Sequence, residues 1–286
     1  MYQPISCWGL LCVLAACASP GVPVTGTPIP PSPPTAPAPI TPSSRSWSFT
    51  YAAGALFYEV SRTATIESQS DSSSHVELSN NVTHELLNLE IASDTLRFTA
   101  AIDTFATATQ GSIGPAQAVN LPVQLTGSLL HDSLAISNDS IHESCNPAHS
   151  ALSTDLRNLL IPFPVKLDQG ATWKDSTAVK GCVGMISTIV TASRSFVVAG
   201  ETTYEGRPVL AVQRADTIHA HGEGSQQQHQ LVLDADGTGT AVYYLSPADG
   251  HVVHLGTEQD LELAITTSGQ VHRFKQRSKQ EFKLAP

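Results

Sequence analysis

Three histidines in the stretch TIHAHGEGSQQQHQ, residues 217 to 230, have the types and spacing that chemistry would need. His219 and His221 lie two apart, so on a strand they share a face, and a hairpin would return His229 on the neighbouring strand. Three imidazoles leave the fourth position of a tetrahedral zinc open, as a hydrolytic site requires. The same alternation supports a second reading. Ile218 and Ala220 take the other face, which puts the histidines on the polar side, and neither an HExxH motif nor a carboxylate at ligand spacing accompanies them. On that reading they are solvent-facing residues of a hairpin.

Other candidates carry less. DADGTG (234–239) begins like a calcium loop in Asp234, Asp236 and Gly237, but Leu245 stands where a bidentate acid must close a twelve-residue loop. A hairpin turn accounts for that segment. His251 and His254 are three apart and face opposite ways on a strand. There is no GxSxG elbow and no SxxK pair, and Gly222 and Gly224 begin a GxG that lacks its third glycine and a following helix. A net charge of −10 offers a phosphate backbone nothing, so nucleic acid is excluded as a partner. Three functions stand: binding of an apolar ligand or a partner protein without catalysis, metal-dependent hydrolysis through His219, His221 and His229, and a purely structural interaction module. No further cofactor is expected.

The elements that would position these residues are strands. Trp47, Phe49 and Tyr51 alternate with other residues, as do Leu56, Tyr58, Val60, Ala64 and Ile66. The pattern recurs at Leu96, Phe98, Ala100 and Ile102, at Val119 to Leu125, at Leu231 and Leu233, and at Leu261, Leu263 and Ile265. Turn signals fall at 234–237, at PADG (247–250) and at Ser268-Gly269. One helix interrupts the strands. Asn146 caps it, Pro147 suits its first position, Leu152, Leu156, Leu159 and Leu160 fall on one face, and Pro162 and Pro164 stop it. The expected fold is mainly β: a large antiparallel meander, a curved sheet or half-barrel, with this amphipathic helix covering one face.

The last hairpin carries a register. With Ser268-Gly269 as its turn, Glu262 falls opposite Lys275, Asp260 opposite Arg277 and Glu258 opposite Lys279, while Leu263 meets Phe274 and Ile265 meets His272. The row of cations then reads as a charge ladder on a solvated face. An alternative use for it is to hold anionic lipid headgroups.

The chain begins differently. Residues 7 to 16 form an apolar run too short to span a bilayer, and they read as the core of a signal peptide. Leu14-Ala15-Ala16-Cys17 resembles the lipobox of bacterial lipoproteins, although MYQPIS lacks the usual basic start. The resemblance implies that residues 1–16 are removed, that Cys17 becomes the acylated first residue, and that the absence of Asp beside it directs the protein to the outer membrane. Residues 17–45 would then be an anchor and a Pro-rich stalk facing the periplasm or the cell surface. The stalk has no charge between Pro20 and Ser44 and no periodicity to fold on. Residues 46–286 form one β-rich domain. Its plan resembles the lipoprotein-carrier-like periplasmic proteins, and IPFPVKLDQGATWKDS (161–176) with VVAGETTYEGRPVLAV (197–212) is similar to uncharacterised β-rich bacterial lipoproteins. The first likeness implies a cavity for acyl chains, with the membrane as a partner through the anchor.

Cys145 and Cys182 are the cysteines of the folded part. An even count in an exported chain points to a disulfide, whose loop would contribute roughly 4 kcal/mol in the chain-entropy model. A pair of reduced thiols is the alternative.

Overall fold

The computed structural model describes residues 45–70, 73–92, 96–110, 121–130, 133–137, 146–183, 186–226 and 229–286. The strands are β1 (Ser46–Ser48), β2 (Gly54–Ser70), β3 (Ser73–Ile91), β4 (Arg97–Gln110), β5 (Val123–Leu129) and β6 (Leu134–Ser137). After the helix α1 (Pro147–Leu159) come β7 (Lys166–Asp168), β8 (Thr172–Val183), β9 (Ile186–Tyr204) and β10 (Arg207–Gln226). The chain ends with β11 (His229–Ser246), β12 (His251–Thr267) and β13 (Gln270–Leu284). One antiparallel sheet of 11 strands runs β6-β5-β4-β3-β2-β13-β12-β11-β10-β9-β8 and does not close into a barrel. β1 and β7 form a small sheet of their own. The mainly β meander with one helix is as the alternation implies.

Period-two patterning makes these strands long because few prolines interrupt it. β10 has 20 residues, which spans about 66 Å at 3.3 Å each. The sheet curls, and α1 bridges its open side, touching β4 and β5 on one flank and β8 on the other. The main core lies between helix and sheet: Leu152 and Leu156 of α1 pack with Tyr58, Leu87, Ile102, Leu125, Tyr243 and Phe282. A second apolar cluster of Ile186, Ala220, Leu231, Leu233 and Ala235 lines the same inner face further along the strands.

The register of the last hairpin is the expected one. Ser268 and Gly269 have φ of 50° and 80°, as a two-residue type I′ turn requires. Glu262 pairs with Lys275, Asp260 with Arg277, Glu258 with Lys279, and Leu263 with Phe274. The ion pairs close at 3.4, 2.9 and 2.6 Å, all exposed. The ladder lies on the outer, solvated face.

Other expectations are corrected. DADG at 234–237 is not a turn but the middle of β11, paired residue for residue with β10 and β12. Gly237 is there because the sheet bends tightly: a Cβ would collide with the Asp260 carbonyl oxygen and lie 2.9 Å from Leu261 Cα. Of the alternating Trp47, Phe49 and Tyr51, only Trp47 is in a strand. Phe49 and Tyr51 leave the sheet and pack as buried rings against Phe163, with the Phe49–Phe163 centroids 5.2 Å apart. In the run at Val119 to Leu125, Val119 lies outside the described residues, Leu121 precedes the strand, and the strand begins at Val123. The disulfide is also corrected: no disulfide occurs among the described residues. Cys145 lies outside them, while the backbone of Cys182 pairs with Ser187 in the β8–β9 hairpin. Residues 1–44, with Cys17 and the apolar run, also lie outside the described residues. Among the described residues no helix is long and apolar enough to cross a membrane.

Candidate functional site

The three histidines do not meet. His219 lies opposite Asp236 and its Nδ1 is 2.9 Å from that carboxylate, while His221 Nδ1 is 2.7 Å from Asp234. Both rings are on the outer face, and the bond to Asp234 raises the pKa of His221 above its ordinary value. His229 is paired with Gln226 at the end of the β10–β11 hairpin. It is five residues from Asp234 along β11, roughly 16 Å, and an odd spacing turns it to the other face. Its Nδ1 meets Ser268 Oγ at 2.7 Å instead. Among the described residues no group of three or more His, Cys, Asp or Glu side chains could hold a metal. The solvent-facing alternative describes these histidines.

The polar groups buried inside the sheet surround α1. The last carbonyls of a helix have no partner within it, and here the sheet supplies them. Arg194 of β9 donates from Nη1 to the Arg157 carbonyl at 2.7 Å, while Tyr243 of β11 donates to that of Asn158 at 3.1 Å. The Tyr51 hydroxyl reaches the Leu159 carbonyl at 2.8 Å. Arg214 of β10 donates to Asn158 Oδ1 at 3.1 Å and to the Tyr243 hydroxyl. Two cations at the negative end of the helix dipole also stabilise it there. From the other flank, Arg62 of β2 binds Glu85 through two bonds, of 2.7 and 3.0 Å, and also meets Asp155 of α1. Gln280 of β13 donates to the same Asp155 at 2.6 Å.

The belt contains Arg62, Arg194 and Arg214 against Glu85, Asp155, Asp175 and Asp216. Burial, and next the neighbouring Asp155, push the Glu85 carboxyl up to about 9, so that it carries a proton at neutral pH. The sequence held a signal for this belt: Arg214 and Asp216 stand between Val212 and Ile218 on the apolar parity of β10, where a charge must find a buried partner.

The outer face has a different feature at its waist. A twisted sheet curved into a hyperboloid is concave along its strands when seen from outside, and small side chains deepen that concavity here. One groove of about 480 Å³ has Gly256, Val242 and Thr240 as its floor, with Tyr244 and His254 on one lip and Glu258 and Lys279 on the other. A second, of about 780 Å³, shares Thr240 and Val242 and continues past Ala215, Ser195 and Lys174. A third, of about 390 Å³, shares Ser61 and Glu281 and extends past His84 to Thr104. Together they form one trough across nine strands, β4 to β8, about 38 Å at 4.8 Å per interval. At its lip Tyr204, Tyr244 and His254 lie together, with centroids 4.7–5.6 Å apart and interplanar angles of 30–31°.

No known family model matches this sequence, and no curated protein does. Among solved structures, a chain from work on the asymmetric conductivity of engineered proteins is similar over 80% of this chain and 100% of its own, at 7% identity and a TM-score of 0.24. The outer membrane protein OmpT of Vibrio cholerae, in vitro folded and trimeric, is similar over 81% and 99%, at 8% identity and a TM-score of 0.17. Scores this low do not indicate a shared fold.

Proposed function

We propose that this is an envelope protein, carried on a Pro-rich stalk from an acylated Cys17, that recognises a partner on the outer face of its sheet without catalysing a reaction. The observation that carries the reading is the occupancy of the interior. An acyl-chain carrier needs its apolar face empty, whereas here Leu152, Leu156 and Leu159 of α1 are buried in it, and arginines from β2, β9 and β10 tie the helix in place. The trough lies on the opposite face, accessible without moving the helix.

The tether rests on the lipobox and the proline stretch. The test uses the full chain expressed in a bacterium, with Cys17→Ser alongside. The parent should sediment with membranes and the variant should stay soluble. Detergent-extracted protein should show no saturable uptake of a fluorescent fatty acid. Identical fractionation of the two forms would remove the tether, and saturable uptake would restore the carrier reading.

A further inference from the structure

We draw no further inference here: the strongest candidate, the groove of about 780 Å³ that crosses the outer face from Thr172 and Lys174 of β8 to Thr240 and Val242 of β11, is a mainly apolar surface, and nothing in the structure shows what covers it.

Discussion

Replacing Glu85 with glutamine should flatten the pH dependence of stability. Glu85 is fully buried between Arg62 and Asp155, and its carboxyl titrates near 9 in place of the ordinary 4.5. Between those values the folded protein holds a proton that the unfolded chain has released. Folding then takes up a proton, and stability falls as pH rises through this window. The group contributes about 1.4 kcal/mol per pH unit, so roughly 2–3 kcal/mol is lost between pH 5 and 7. Glutamine reproduces the neutral charge of the protonated acid: its oxygen keeps one of the two Arg62 bonds and its amide donates to Asp155, while the second Arg62 bond is given up. Urea unfolding of the parent and Glu85→Gln at pH 5, 7 and 9 should give a difference that widens with pH in favour of the variant. Parallel curves would refute the reasoning.

Two further outcomes follow from the sheet. Asp260→Lys should destabilise the protein by roughly 0.2–1 kcal/mol and the added Arg277→Asp should recover part of it, as read from denaturant midpoints; no recovery would mean that the pair is not coupled. Gly237→Ala should cost more than about 2 kcal/mol because its Cβ meets backbone atoms, whereas Gly256→Ala, with open space around it, should lie within about 0.5 kcal/mol of the parent.

How much of this was legible in the sequence varies by element, for physical reasons. The last hairpin could be read to the residue because its turn chemistry and both of its faces specify the same register, and a slip of one residue would spoil all three. The helix was legible because Asn146, Pro147 and the leucine spacing point to one start and one face. DADG misled because glycine in a turn and glycine in a tightly bent strand have the same composition, and only the neighbouring Leu261 distinguishes them. The arginine belt was not read because local alternation cannot show that α1 will arrive from elsewhere to meet Arg62, Arg194 and Arg214. The histidines were legible as outward-facing at His219 and His221, and the two-residue spacing was their whole content. The trough was invisible for a related reason: Ser61, Val242, Ala215 and Ser195 lie far apart in the chain and form a surface only once the strands are side by side.

The middle of the sheet is a seam between the first long strand and the last, with Tyr58–Gln69 bonded to Arg273–Leu284. Until the final fifteen residues of β13 are present, the strands from β2 to β6 and those from β8 to β12 are separate meanders. The groups that grip α1 come from both: Arg62 from the first, Arg194 and Arg214 from the second. A chain stopped before β13 would therefore contain all three arginines yet lack both Gln280, which also holds Asp155, and the hydrogen bonds that bring the two meanders around the helix, and it would show a protease two open sheet edges. For a protein that emerges amino terminus first, the sheet becomes continuous around its helix only once β13 has emerged.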